Sequence, residues 1–248
     1  MENAIKIDVR DIDKKKIALY DCIYFGTEFC ENLIPVYEKK LDKVFSFGKK
    51  ICILTPIITD KGLKELKSLF TNLKKYDDFE ITLNDFGALM LVKELDIRCR
   101  LNIGRHLSKL FFTIKKNHIE VNDPESLKIL NDIDINTFEV SNFLFSNKSI
   151  SINLNNFDIK FNIYYPYVLL STTRTCLIGL DDISLDHSVK SIICRNECIY
   201  SDYIVKTGKI KEDLIVSQNS TFIENKSTIL FDKKTLLNIN RTVFCVRP

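Results

Sequence analysis

Lys50-Ile-Cys-Ile-Leu-Thr-Pro56 opens residues 50–83, the segment whose pattern indicates the fold most clearly. This apolar, β-branched run predicts a buried strand that ends at the proline, because proline has no backbone N–H to donate. In residues 61–75, which follow, apolar side chains recur at helical spacing: Leu63, Leu66, Leu69, Phe70 and Leu73. Phe79-Glu-Ile-Thr-Leu83 then predicts a second strand. This strand–helix–strand order is typical of a parallel βαβ unit.

The same alternation extends over the rest of the chain. Further strands are predicted at residues 4–9, 18–25, 99–103, 118–121, 137–140 and 161–170, with a closing strand at 241–247. Helices are predicted at residues 31–45 and 86–95, and the Asn- and Ser-rich residues 144–156 predict a loop. About eight strands in roughly 200 residues favour the α/β class. We therefore expect a single TIM-barrel-like (β/α) domain over residues 1–248, incomplete or irregular in places.

The composition narrows the class of protein and its compartment. The chain has 45% hydrophobic and 28% charged residues, and its net charge of +3 comes from interleaved acids and bases, so nucleic-acid binding is not expected. The sequence contains neither a signal-peptide pattern nor a run of about 18 apolar residues. We therefore expect a cytoplasmic protein without a membrane span, whose eight cysteines are thiols and not disulfides.

Three cysteines in the C-terminal half indicate a metal site. Cys194-Arg-Asn-Glu-Cys198 brings two thiols close together, and Cys176 lies 18 positions before Cys194. Cys30 is a fourth candidate, because it follows a strand and a glycine turn on the face where barrels build sites. The spacing leaves an iron–sulfur cluster and zinc both open. Buried core thiols are the alternative, and they are the interpretation favoured for the other four cysteines: Cys22, Cys52, Cys99 and Cys245.

Polar residues at predicted strand ends form a candidate substrate pocket. The set is Asn84, Asp85, Arg105, His106, Glu139 and Arg174. Asn84 and Asp85 have an alternative role as a helix cap, and Arg105 and His106 have one as a surface loop. Arg174 has an alternative role, which is to hydrogen-bond to the outer shell of the metal site. The sequence has no His-Glu-x-x-His and no supported Ser/His/Asp set, so peptidase activity is not expected and no catalytic residue is assigned.

Four ordered segments resemble peptidase family U-32, the collagenase-like family. They are Asp21-Cys-Ile-Tyr-Phe-Gly26, residues 49–55, Thr82-Leu-Asn-Asp-Phe-Gly-Ala-Leu89 and Asn102-Ile-Gly-Arg-His-Leu107. The resemblance covers roughly residues 14–205. The cysteine pattern, with one cysteine at position 176, a later pair and an early cysteine, is similar to that of the UbiV-type branch. Members of this branch are accessory factors of O2-independent ubiquinone biosynthesis. The chain departs from the family in its short C-terminus and in Ser108, where an asparagine is expected.

The resemblance implies a function and a cofactor. It implies that Cys30, Cys176, Cys194 and Cys198 hold a 4Fe–4S cluster, and that the protein acts in anaerobic, oxygen-independent hydroxylation of a ubiquinone precursor. It further implies a heterodimer with a homologous UbiU-type subunit, in which this chain is an enzyme component or an accessory subunit. Two alternatives stay open. One is an RNA-base hydroxylation factor of the same family, and the other is a zinc-stapled or metal-free scaffold without enzymatic activity.

Overall fold

Eight parallel strands close into a barrel in the computed structural model, so the predicted TIM-barrel-like fold is confirmed. The structure describes residues 1–115, 118–142, 151–154, 157–173, 176, 178, 194–206, 208, 211–225 and 233–248. Its strands are β1 (Glu2–Ile7), β2 (Cys22–Gly26), β3 (Lys50–Leu54), β4 (Phe79–Leu83), β5 (Arg100–Ile103), β6 (Phe112–Lys115), β7 (His118–Val121), β8 (Thr137–Ser141), β9 (Ser151–Asn153), β10 (Lys160–Tyr165), β11 (Tyr167–Thr172), β12 (Tyr203–Val205), β13 (Leu214–Ser217), β14 (Ser220–Glu224) and β15 (Ile239–Cys245). The barrel order is β1-β15-β10-β8-β5-β4-β3-β2, and the predicted closing strand, β15, lies between β1 and β10.

Helices surround the barrel. They are α1 (Lys14–Ile17), α2 (Ile34–Glu38), α3 (Leu41–Phe45), α4 (Asp60–Leu73), α5 (Phe86–Glu94), α6 (Arg105–Phe111), α7 (Pro124–Asn131) and α8 (Lys233–Leu236), with short 3-10 turns at Glu31–Leu33 and Glu197–Ile199. The single helix predicted at residues 31–45 is wrong. A 3-10 turn, α2 and α3 take its place, and Pro35 lies in the first turn of α2, where a missing amide hydrogen is tolerated.

The βα unit that decided the fold forms close to its predicted bounds. β3 and β4 pair in parallel, and α4 connects them. The helix packs Leu66, Leu69, Phe70 and Leu73 into the core, whereas Leu63 is 38% exposed and lies off the buried stripe. The stripe that packs on the barrel is therefore narrower than the sequence spacing predicts.

Alternation along the strands produces two separate cores. Outward side chains such as Ile5 and Ile7 of β1 join the large cluster between the barrel and the helices. Inward side chains form a smaller cluster that includes Ala4, Tyr24 and Tyr164. Because successive side chains in a strand point to opposite faces, the charged Lys6 of β1 falls on the same inward face as Ala4. Polar groups therefore enter the barrel interior.

An antiparallel sheet in the order β11-β14-β13-β12, which we call the cap, lies across the carboxyl-end mouth of the barrel. Leu169 N of the cap donates to Ser141 Oγ at the end of β8 (3.4 Å), and Phe222 packs on Phe29 after β2 (5.2 Å between ring centroids). β8 and β2 stand on opposite sides of the barrel. The cap therefore spans the mouth.

Two predicted strands lie elsewhere than expected. Residues 118–121 form β7, which pairs with β6 and β9 in a small side sheet outside the barrel. Residues 161–170 are divided between β10 of the barrel and β11 of the cap, with Pro166 between them. The predicted loop at 144–156 contains β9, while residues 143–150 and 155–156 lie outside the described part. No helix in the described ranges is long and apolar enough to cross a membrane.

Candidate functional site

Cys30 and Cys176 meet through one turn of the cap. Cys30 precedes the first 3-10 turn, and its amide donates to Thr27 Oγ1 (3.2 Å). The same hydroxyl donates to Gln218 Oε1 (3.3 Å) in the turn between β13 and β14. Cys176 Sγ in turn donates to the backbone oxygen of Gln218 (3.6 Å). Cys30, in the loop after β2, and Cys176, which follows β11, are thus both linked to Gln218 of the cap.

Cys194 and Cys198 complete the cysteine neighbourhood. Burial, with smaller contributions from the charges of Cys30, Cys176 and Cys194, raises the pKa of Cys198 to about 12. Burial likewise raises the pKa of Cys30 to about 11, with smaller contributions from Cys176 and Cys194 in the same direction. Cys194 is exposed, and its Sγ donates to Asn196 Oδ1 (3.4 Å). Cys30 and Cys198 therefore each lie within electrostatic range of the other three predicted ligands.

These thiols are neighbours, but they do not enclose a metal centre. Within the described residues, no group of three or more His, Cys, Asp or Glu side chains is close enough together to hold a metal ion. Residues 177 and 179–193, between Cys176 and Cys194, are outside that part of the chain. The donor set suits an iron–sulfur cluster or zinc in kind, because both take thiolates. The raised thiol pKa values mean that cation binding must drive deprotonation.

The remaining cysteines lie apart from this neighbourhood. Cys22, Cys52 and Cys245 are buried in the barrel interior, where core thiols are expected. Cys52 Sγ is 3.1 Å from Thr82 Oγ1. Cys99 directly precedes β5 and is half-buried outside the barrel, so it is not part of a strand as predicted. Three of the four cysteines predicted as core thiols are thus buried in the barrel interior, and Cys99 is half-buried outside it.

A buried ion triad lies beneath the cap. Arg105, the first residue of α6, donates from Nε to Glu28 Oε1 (3.0 Å) and from Nη2 to Oε2 (2.7 Å). Lys6 Nζ is 3.4 Å from the same Oε2. Burial alone would raise the pKa of Glu28, but the charges of Arg105 and Lys6 hold it at about 2. Arg105 is therefore a buried residue of the barrel mouth and not part of a surface loop.

His106 lies beside the triad as a neutral base. Burial lowers the pKa of His106 to about 4, and Nε2 has no hydrogen-bond partner in the described part of the chain. Its ring meets the edge of Phe29 (5.6 Å between centroids). The amide of His106 donates to Asn84 Oδ1 (3.0 Å), and Asn84 Nδ2 donates to Thr55 O (2.9 Å). Asn84 thus fixes the start of α6, which carries His106.

Of the other predicted pocket residues, Asp85 lies at the start of α5 and Glu139 lies in the barrel interior. Asp85 caps α5, since its Oδ1 accepts from Gly87 N (2.6 Å). Glu139 is fully buried in the barrel interior, where its Oε1 accepts from Asn162 Nδ2 (3.0 Å), Tyr24 Oη (3.2 Å) and Thr82 Oγ1 (3.2 Å). Burial raises the pKa of Glu139 to about 8, and Oε2 has no partner among the described atoms. The candidate Arg174 lies outside the described residues.

The amino end of the barrel holds a second charged group and a cavity. Arg241 pairs with Glu80 (Nη1 to Oε2, 2.9 Å) and with Glu2 (Nη2 to Oε2, 2.6 Å). A cavity of about 460 Å³ opens nearby, between the starts of β5 and β8, and Glu80, Asn102 and Lys160 are among its lining residues. In barrels this end generally serves stability, whereas the carboxyl end carries function.

Four charged residues of these buried groups are not among the residues predicted from the sequence: Lys6, Glu28, Glu80 and Arg241. A signal was present for two of them, because Lys6 and Glu80 interrupt apolar strands at inward positions. Glu28 lies in a loop, and only the tertiary structure brings it to Arg105, which is 77 positions away.

Comparison with protein-family models, with curated proteins and with solved structures gives no match for this chain.

Proposed function

We propose that this chain is an iron–sulfur protein that holds one 4Fe–4S cluster through Cys30, Cys176, Cys194 and Cys198. In this proposal it takes part in oxygen-independent hydroxylation of a small molecule, a ubiquinone precursor, in the cytoplasm. A homologous UbiU-type subunit is its expected partner. The observation that carries the proposal is that cysteines from segments far apart in the chain come together beside the mouth, where Thr27 and Gln218 link Cys30 to Cys176.

The position of this cysteine neighbourhood supports the proposal. Thr27 and Gln218 link Cys30 to the cap, and Glu28 lies between Thr27 and Cys30. The cysteines therefore border the mouth that contains Arg105 and His106. Ligands of (β/α) barrels bind at the carboxyl ends of the strands, so this is the end where a substrate is expected.

The cluster and the residues of the mouth would have separate roles in the reaction. When bound, the cluster would supply electron transfer. Arg105 and Lys6 would hold and orient a negatively charged group of the substrate. The cap would exclude water. His106, neutral at pH 7 because burial lowers its pKa to about 4, would accept a hydrogen bond at Nε2.

Anaerobic purification tests the cofactor. The full chain should emerge brown, with iron and acid-labile sulfide near four each per chain. Replacing any of the four proposed ligands with Ser should abolish or degrade the visible absorbance. The matched control is Cys99→Ser, because Cys99 is also half-buried and lies outside the cysteine neighbourhood. A colourless protein with stoichiometric zinc would replace the cluster with a zinc staple, and a protein without metal would favour the scaffold.

A deletion strain grown without oxygen tests the reaction. Hydroxylated quinone intermediates should disappear, while aerobic synthesis continues through oxygen-using enzymes. RNA hydroxylation is measured in the same cells. Normal quinones with a missing hydroxylated base would reassign the protein to RNA modification, and normal levels of both would contradict any role in hydroxylation.

A further inference from the structure

We propose that the barrel mouth beneath the cap is a binding site for a small carboxylate, which Arg105 and Lys6 hold and whose place Glu28 occupies in the empty protein. The inference rests on the proposed function only in taking the mouth as the substrate site. It names a substrate class, and it does not require the cluster.

The geometry is that of a carboxylate clamp. Arg105 meets Glu28 with two parallel N–H···O bonds of 3.0 and 2.7 Å, the arrangement that a guanidinium makes with a carboxylate. Lys6 approaches the second oxygen at 3.4 Å. The Glu28 side chain is fully buried, and those of Arg105 and Lys6 are 2% and 9% exposed. The clamp is therefore already shaped around one carboxylate.

The charges at this position do not balance. Among the described residues, Glu28 is the one carboxylate within ion-pair distance of either cation. The next acid inward, Glu139, holds its proton at pH 7, because burial raises its pKa to about 8. Two buried cations thus face one buried anion. An uncompensated buried charge is unfavourable, so this surplus of positive charge favours an anionic ligand over a neutral one of similar shape.

Unsatisfied polar atoms surround the clamp. The Tyr164 ring lies 4.3 Å from the guanidinium carbon of Arg105, and its buried hydroxyl has no partner within the described structure. His106 Nε2 also has no partner within the described structure, and the His106 ring contacts Phe29 at 5.6 Å between centroids. Buried polar groups are normally hydrogen-bonded, so two such atoms beside one clamp favour a ligand with polar groups at this position.

Aromatic side chains supply the walls of this site. The centroid of the Phe29 ring lies 5.4 Å from the Arg105 guanidinium carbon and 5.3 Å from Lys6 Nζ. Phe222 of the cap packs against Phe29. These rings would contact the apolar body of a ligand whose carboxylate is in the clamp. In this proposal the ligand's carboxylate replaces that of Glu28, which is carried by the loop after β2.

Binding is measured on the purified full chain with propionate, and with propionamide as the neutral match, at constant ionic strength. Propionate should raise Tm saturably, by on the order of 5 °C at a hundredfold excess over Kd. Propionamide should not. The result does not depend on iron, so failure of the cluster proposal and failure of this one are distinguishable.

Three variants sharpen the test. Lys6→Met should weaken propionate binding by about 10-fold or more, because one cation of the clamp is lost. Glu28→Gln should tighten it by a similar factor, because the internal competitor is gone. Lys50→Met is the matched control, since Lys50 also pairs with a glutamate but at the amino end of the barrel. It should leave the affinity unchanged.

Several outcomes would overturn the proposal. They are equal Tm shifts with acid and amide, full affinity in Lys6→Met, or affinity in Glu28→Gln no tighter than in the unsubstituted protein. If Glu28→Gln fails to fold without a ligand, refolding that requires propionate and is not achieved with propionamide would support the clamp. Refolding that ignores both would contradict it.

Discussion

The Asn84 side chain occupies the space that a side chain on Gly104 would need. A Cβ on Gly104 would come within 2.2 Å of Asn84 Oδ1, the oxygen that accepts the amide of His106. The two residues end neighbouring strands, β4 and β5, so this contact sets the entry of α6 and with it the position of Arg105 and His106.

Gly104→Ala should therefore destabilise the protein by about 1–3 kcal/mol, the usual cost of overpacking a closed site. Urea unfolding measures the change in the free energy of unfolding. The same substitution in an Asn84→Ala background should cost less, because the clashing amide is gone. Equal costs in both backgrounds would show that Asn84 does not impose the glycine.

The Arg241–Glu80 pair should be far more sensitive than a surface pair. Arg241 is 2% and Glu80 11% exposed, so Glu80→Gln leaves a buried guanidinium short of a charge partner and should cost about 3–5 kcal/mol. The matched control is Glu94→Gln, which breaks the exposed pair with Lys67 and should cost under about 1 kcal/mol. Similar losses in the two variants would contradict the burial argument.

Glu139 should make the protein less stable as the pH rises. Burial raises its pKa from an ordinary 4.5 to about 8, so between these values the folded state holds a proton that the unfolded state has lost. Stability contributed by this proton is present below about pH 4.5 and is lost as the pH rises to about 8, by up to about 1.4 kcal/mol per pH unit.

Glu139→Gln should remove this contribution. Relative to the unsubstituted protein, the variant should gain in free energy of unfolding between pH 5 and pH 8, as measured by urea unfolding at several pH values. Glu125→Gln, on an exposed turn of α7, controls for the loss of a surface carboxylate. Parallel pH profiles of the free energy of unfolding for Glu139→Gln and the unsubstituted protein would contradict this prediction.

The cysteine neighbourhood should react unevenly in metal-free protein. With pKa values of about 11 and about 12, Cys30 and Cys198 would be thiolates in roughly one molecule in 10³ and 10⁴ at pH 8. Iodoacetamide should therefore modify the exposed Cys194 well before Cys198. Peptide mass spectrometry gives the order of modification. Labelling of Cys198 as fast as Cys194 would contradict the buried site.

Local patterns in the sequence were enough for the elements of the barrel. The spacing of Leu66, Leu69, Phe70 and Leu73 predicts α4, the apolar runs at β3 and β4 predict adjacent parallel strands, and Asp85 caps α5 as its short side chain suggests. These features depend on residues a few positions apart, where periodicity and backbone hydrogen bonding act directly. The same local rules placed Cys30 and Arg105 shortly after predicted strands.

Which distant residues come into contact depends on the tertiary fold, and the sequence pattern does not predict it. β7 has the pattern of a barrel strand, yet it pairs with β6 outside the barrel, and residues 161–170 are divided between barrel and cap. Glu28 reaches Arg105 because β2 and β5 belong to one closed barrel whose carboxyl ends share a mouth. A pattern along the chain carries no information about such partners, since closure of the barrel, and not spacing, sets which side chains share the interior.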